Sequence, residues 1–235
     1  MNTPKTFANA IAQMSMPGVF NPYHDCCPVH DRADAARVRK RNLVLCLEAA
    51  LDSKVETIWI ARDLGYRGGR RTGVPLTDEV HLSAAASMFG IASLGRATRG
   101  PLIAERTAAV VWGLLSQIGQ PAFLWNVFPL HPHELGDPMS NRCHTRAERE
   151  ATWPLLESLI AMLKPKRIVA IGKDAGAALA DLTVPVSMVR HPSYGGQAEF
   201  VAGICDLYGV ANPTRDQPTL PHFADVYAGS RAVSA

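Results

Sequence analysis

Thr57-Ile58-Trp59-Ile60-Ala61, running straight into Arg62-Asp63-Leu64-Gly65, is the stretch on which the architecture turns. An unbroken β-branched and aromatic run that ends abruptly in polar residues describes a strand buried on both faces. Further stretches have the same form. Residues 122–124 lead into Trp125-Asn126, residues 167–171 into Gly172, and residues 185–189 into Arg190-His191-Pro192-Ser193. Helical patterns lie between them. Val38, Leu43, Leu45, Leu47 and Leu51 mark a helix from about 33 to 53. Pro101 opens and Gly119 closes a second. Thr77-Asp78-Glu79 has the form of a helix start with acids in the first turn. Thr145, with Glu148 three residues on, makes a capping box for a helix reaching about Leu163. A short helix follows Gly172 to about Asp181, and a last one spans about 197–207. Strands alternating with helices predict an α/β fold of three layers, α/β/α, around a central four-stranded parallel sheet. Periodicity does not carry the strand order.

The 235 residues suit one domain, 1–235. Its first part, 1–31, is expected to be irregular, broken by Pro17-Gly18, Asn21-Pro22 and Pro28, and a Pro-rich tail begins at about residue 212. A hydrophobic fraction of 47% with 19% charged residues fits a soluble globular protein, expected to be a monomer. No apolar run is long enough for a membrane span and no basic-then-apolar leader opens the chain, so a cytoplasmic location is expected. Cys26, Cys27, Cys46, Cys143 and Cys205 form no C-x-x-C pair, which argues against a metal or cluster site and for reduced thiols, Cys46 in a helix core. His131, His133 and His144, with Glu134, also lack the spacing of helical metal ligands.

In a parallel sheet, the loops beyond the carboxyl ends of the strands enclose the ligand crevice. Asp63, Asn126 and His191 all stand at such ends, so one carboxylate, one amide and one imidazole are expected to converge. The net charge is only +3, but Arg62, Arg67, Arg70 and Arg71 cluster around the first of these loops and Arg190 flanks the last, a rim suited to phosphates. The run Arg37, Arg39, Lys40, Arg41 is expected on a solvated helix surface.

Three segments in this order resemble the uracil-DNA glycosylase superfamily, over roughly residues 17–208: Ala61-Arg62-Asp63-Leu64-Gly65, Leu124-Trp125-Asn126-Val127, and His191-Pro192-Ser193. The first combines the aspartate of that superfamily's G-Q-D-P-Y branch with the final glycine of the G-E-A-P-G, iron–sulfur branch. Thr72-Gly73-Val74-Pro75-Leu76-Thr77 resembles the following G-x-P-F segment, with Leu76 in place of the aromatic that stacks on the base. Phe128, Phe89 or Trp125 is the candidate substitute. Asn141-Arg142 and Thr145-x-x-Glu148 resemble the N-R-x-x-T-x-x-E pattern of the iron–sulfur branch, but the cluster cysteines would fall near Leu130 and Ala151, so no cofactor is expected.

The resemblance implies hydrolysis of the N-glycosidic bond of uracil in DNA, as in base excision repair, with uracil-containing DNA as partner and free uracil as product. Asp63 would stabilise the oxocarbenium-like sugar and orient a water. His191, aided by main-chain amides from Arg62 to Leu64, would donate to uracil O2 as charge develops there. Asn126 would accept from N3–H and donate to O4, a pattern cytosine does not match. Leu76 would give apolar contact to the base. Arg67, Arg70, Arg71, Arg190 and Ser193 would meet the DNA, and Tyr194 or Gln197 would fill the space left by the flipped base. Gly65 stands where the G-Q-D-P-Y branch has the tyrosine that blocks a 5-methyl group, so the resemblance also allows a mismatch glycosylase of broader base specificity. A binder that traps the sugar on His144 without turnover, and a nucleoside hydrolase on the same scaffold, are two competing readings.

Overall fold

The computed structural model describes residues 3–213. Its elements are α1 (Pro4–Ala12), β1 (Val19–Phe20), α2 (Ala35–Asp52), β2 (Thr57–Asp63), α3 (Gly69–Thr72), α4 (Leu82–Met88), α5 (Arg106–Ile118), β3 (Phe123–Phe128), β4 (His131–Pro132), α6 (Arg146–Leu163), β5 (Arg167–Ile171), α7 (Lys173–Ala178), β6 (Val186–Val189) and α8 (Gln197–Tyr208). The main sheet has the order β3-β2-β5-β6, and every pairing in it is parallel. The chain steps from β2 to one side and then crosses back to the other. Right-handed crossovers therefore put α5 and α6 on opposite faces. Helices α1, α2 and α6 pack together, and α5 packs on α4 and α8. This is an α/β fold with helices flanking an all-parallel four-stranded sheet, as the alternating pattern predicts.

The two central strands explain the layering. Trp59 on β2 lies edge-on to Phe200 of α8, at 6.3 Å between centroids, and its Nε1 donates to Tyr208 Oη at 2.8 Å. Trp125 on β3 meets Phe7 of α1 at 5.5 Å. Both indoles are fully buried. They stand one residue out of step in the β2–β3 register, where Ile60 opposes Trp125, and so face different helical layers.

The termini of the elements are where sequence and structure part. Residues 1–31 are not irregular throughout, because α1 buries Phe7, Ala8 and Ile11 against α2 and α6. Thr77-Asp78-Glu79 does not open a helix. All three are buried, and α4 begins later, at Leu82. Glu79 instead accepts from Arg71 Nε at 3.0 Å, Arg96 Nε at 3.1 Å and Ile103 N at 3.0 Å, which anchors the segment leading to α5. Pro101 lies ahead of α5, which starts at Arg106. The Thr145–Glu148 capping box forms as expected. The Pro-rich tail lies outside the described residues beyond residue 213. Among the described residues, no helix is long and apolar enough to cross a membrane.

Candidate active site

Where the strand order reverses, between β2 and β5, an α/β sheet leaves a crevice at its carboxyl edge. A cleft of about 520 Å³ opens there, a volume ordinary for a small-molecule site. Residues 61–65 at the end of β2, residues 171–175 at the end of β5 and beyond, and Arg190, His191, Ser193 and Tyr194 after β6 line it. Leu76, Glu105 and Arg142 close its other sides. Gly172 adopts a positive φ of 93°, and a Cβ there would lie 3.2 Å from the His191 Cβ, so the β5 turn passes close against the base of the His191 side chain.

Asp63 is the last residue of β2 and faces this cleft. Its Oδ2 accepts from Arg62 Nε at 2.6 Å. Its Oδ1 meets both the main-chain N–H of His144, at 3.3 Å, and His144 Nδ1. A carboxylate oxygen takes about two donors, so Oδ2 keeps one open acceptor position. Arg62 also reaches Asp174 across the crevice and ties the ends of β2 and α7 together. His144 itself stands behind Asp63, its ring 5.5 Å from that of the fully buried Phe128.

His191 Nδ1 receives the Ser193 main-chain N–H at 3.2 Å, along with the Ser193 hydroxyl. An amide N–H can only donate, so Nδ1 is unprotonated and the neutral ring carries its proton on Nε2. Burial, then the charges of Arg62 and Arg190, hold the imidazole below its ordinary pKa. The result is a neutral N–H donor beside the cleft.

Asn126 does not reach the cleft with Asp63 and His191 as expected: it lies inside β3, two residues before its end and on the far side of β2, is only 1% exposed, and is not among the residues lining the cleft. Its Nδ2 donates to the Asp63 carbonyl at 2.9 Å, which orients the amide, because a carbonyl can only accept. Oδ1 is consequently a buried acceptor without a partner. Such an atom carries a desolvation cost of about 1–3 kcal/mol unless a ligand satisfies it.

The basic rim differs from the one the sequence leads one to expect. Arg70 and Arg71 are buried, at 2% and 5% exposure, and cannot reach a phosphate. Arg70 lies over the Phe20 ring at 4.0 Å and Arg71 pairs with Glu79. Arg39 is likewise fully buried, paired with Asp31. The cations that do face the cleft are Arg62, Lys173 and Arg190, with Arg142 held to Glu148. Arg67 is exposed beside Tyr66. Lys173 and Asp174 open α7, one residue past the end of β5, so the strand-end rule that marks Asp63 applies to them too.

Of the candidate floor residues, Leu76 lines the cleft, in a left-handed conformation (φ 54°), and Leu64 lies alongside. Trp125 and Phe128 are fully buried beneath, and Phe89 borders a separate small cavity between α2, α4 and α5. Tyr194 is 97% exposed and also left-handed, with φ 52°. A bulky residue held there is a strained loop tip at the mouth of the cleft. Gln197, one turn on, takes a long contact from Arg106 at 3.5 Å. His131 and His133 stack on each other at 5.8 Å while His144 sits on Asp63, so the loop histidines do not converge.

Glu105 has no sequence signal. It is the N-cap residue of α5, its side chain caps no main-chain amide, and it lines the cleft. Burial and the charge of Asp78 push its carboxyl pKa up to about 7, against the pull of Arg67.

Compared with known proteins, the chain matches no family model and no curated protein.

Proposed function

We propose that this protein is a uracil-DNA glycosylase with a uracil-DNA glycosylase-like fold, hydrolysing the N-glycosidic bond of uracil in DNA. The observation that carries the reading is the orientation of three groups, Asp63 and His191 on the cleft and Asn126 buried behind Asp63, to whose carbonyl it donates. Asp63 presents an open carboxylate oxygen, His191 a neutral Nε2–H, and Asn126 a buried acceptor with no protein partner. These are the polarities that the reaction requires. The C1′–N1 bond breaks and its electron pair leaves with the base. His191 donates to O2 as that charge develops, a contribution of about 3–4 kcal/mol for a single preorganised donor. Asp63 stabilises the cationic sugar and holds the water that adds to C1′, and the water's proton passes to the carboxylate. Asn126 Oδ1 takes N3–H, and uracil but not cytosine supplies it. Lys173, Arg190 and Arg62 offer charge to flanking phosphates, and Tyr194 is the residue best exposed to enter the duplex.

The trapping reading rests on His144, whose Nδ1 is engaged by the Asp63 carboxylate. One experiment addresses both. Duplex DNA with a single labelled uracil is incubated with the protein without added metal, then treated with alkali or run on a denaturing gel. Strand scission at uracil, slowed about a hundredfold or more by Asp63→Asn with binding retained, is the expected result. Wild-type turnover in Asp63→Asn would falsify the role of the carboxylate. A denaturant-stable protein–DNA band lost in His144→Ala would replace hydrolysis by trapping.

A further inference from the structure

Arg70 is a buried cation that no carboxylate pairs among the described residues. It is 2% exposed, its guanidinium lies over the Phe20 ring at 4.0 Å, and Nη1 reaches Met139 Sδ at 3.5 Å. Its Nε is buried and meets no acceptor among the described residues. Asp31, the carboxylate whose charge acts on it, is already paired with Arg39. A guanidinium stays charged at any ordinary pH, and a buried charge without a counterion carries a large desolvation cost. The acidic group that this guanidinium does meet is the thiol of Cys27. Cys27 lies in the loop between β1 and α2 and is only 6% exposed. The loop closes on itself around the sulfur: the Cys27 N–H donates to Asp31 Oδ2 at 2.8 Å, and the Cys27 carbonyl accepts from the Asp31 N–H at 3.0 Å. Within this turn the main-chain N–H groups of His30 and Val29 point at the sulfur. Burial pushes the thiol pKa up, but the two N–H groups and Arg70 outweigh it, and the net shift is downwards. The neighbouring Cys26 is exposed, while Cys46 is buried in α2 with its pKa pushed up to about 12 by burial.

We propose that Cys27 is a redox modification site, at which a small peroxide converts the sulfur into a sulfenate held by Arg70 and by the main-chain amides of Val29 and His30. The inference is independent of the base-excision reading. The thiolate sulfur attacks one oxygen of hydrogen peroxide. An S–O bond forms as the O–O bond breaks, and the hydroxide that leaves takes the proton of the new sulfenic acid to become water. The sulfur is oxidised and the peroxide is reduced. The charge at the site is unchanged, so the pairing with Arg70 survives the reaction. The added oxygen supplies an acceptor of the kind that the Arg70 Nε lacks. Hydrogen peroxide is small and uncharged, which suits a sulfur so largely covered by its own loop.

The test exposes wild type, Arg70→Met and Arg70→Lys to dilute hydrogen peroxide at neutral pH in the presence of dimedone, which traps sulfenates. Mass spectrometry of digests taken over time reads the labelled fraction at each cysteine. Fragment ions separate Cys26 from Cys27, and thermal melts establish that each variant is folded. In the wild type Cys27 should be labelled about tenfold faster than its exposed neighbour Cys26, because the thiolate and not the thiol attacks. Cys46 should stay unlabelled. Arg70→Met removes the charge and should bring Cys27 down to the rate of Cys26 or below, whereas Arg70→Lys retains it and should stay above. Labelling of Cys26 as fast as Cys27 in the wild type overturns the proposal, as does an unchanged Cys27 rate in folded Arg70→Met. Labelling of Cys46 in step with Cys27 also overturns it, because the reaction would then run through opening of the core. If Arg70→Met does not fold, the order of Cys26, Cys27 and Cys46 in the wild type decides.

Discussion

His191 and His144 carry their protons on different nitrogens because different partners hold the same ring atom. Nδ1 of His191 faces the Ser193 N–H and must accept, whereas Nδ1 of His144 faces the Asp63 carboxylate and donates. Long-range nitrogen–proton NMR of the histidine rings at pH 7 should show the Nε2–H form for His191, and an Nδ1–H pattern would contradict its assignment as donor. Asp63 and His191 are legible in the sequence because each stands at or just past the carboxyl end of a strand of a parallel sheet, and such ends share one edge; Asn126, expected at a strand end, instead lies inside β3, which runs on to Phe128. Glu105 is not legible, because it enters from the start of a helix with no motif around it. Arg70 and Arg71 mislead for a related reason. A guanidinium beside a site loop looks like a phosphate contact until its distant partners, Phe20 and Glu79, are in place.

At the scale of elements, a self-contained local motif reads correctly, whereas single start signals such as Thr77-Asp78-Glu79 and Pro101, and all long-range chemistry, do not. The Thr145–Glu148 box spans three residues and forms as expected. Helix α2 also forms close to its expected bounds, but one of its arginines is not on the solvated face. Arg39 is fully buried, paired with Asp31 and donating to the carbonyls of Arg71, Pro22 and Asp25 at 3.1, 3.4 and 3.2 Å. Those partners come from segments before and after the helix, so no helical pattern reports them. Arg39→Ala leaves Asp31 buried without its countercharge and should cost about 3–5 kcal/mol in denaturant unfolding. A loss under about 1 kcal/mol, typical of a surface pair, would show that the burial is not maintained in solution. Helix α1 is hidden in the sequence because the breakers at residues 17–28 follow it and the short apolar face of Phe7, Ala8 and Ile11 has meaning only against α2, α6 and Trp125.

The whole molecule should lose stability in acid, and the sign follows from its buried imidazoles. His131 is fully buried, and burial, then the charge of Arg70, brings its pKa down to about 3. His191 is lowered too. An unfolded histidine titrates near 6.5, so between that value and the folded one the unfolded chain binds more protons. Stability is thus fully present above about pH 6.5 and declines as pH falls towards about 3, by on the order of 4 kcal/mol from His131 alone. Urea unfolding midpoints measured from pH 7 to pH 4 should fall steadily, and His131→Asn should flatten the slope whatever it does to the midpoint at pH 7. An unchanged slope in that variant would mean that His131 is not the group responsible.

The sequence by itself determined the four strands of the main sheet and most of the longer helices that cover it, the parallel character of the sheet, and that Asp63 and His191 stand at its strand ends. These follow from local properties: runs of apolar residues, caps and breakers. The tertiary structure decided the strand order, and with it the position of the crevice between β2 and β5. It also decided which arginines are buried, which nitrogen of each imidazole is free, and that a carboxyl from α5 stands against Gly65. Each of these depends on a partner remote in the chain, and the hydrophobic pattern that specifies an element carries no information about what packs against its ends.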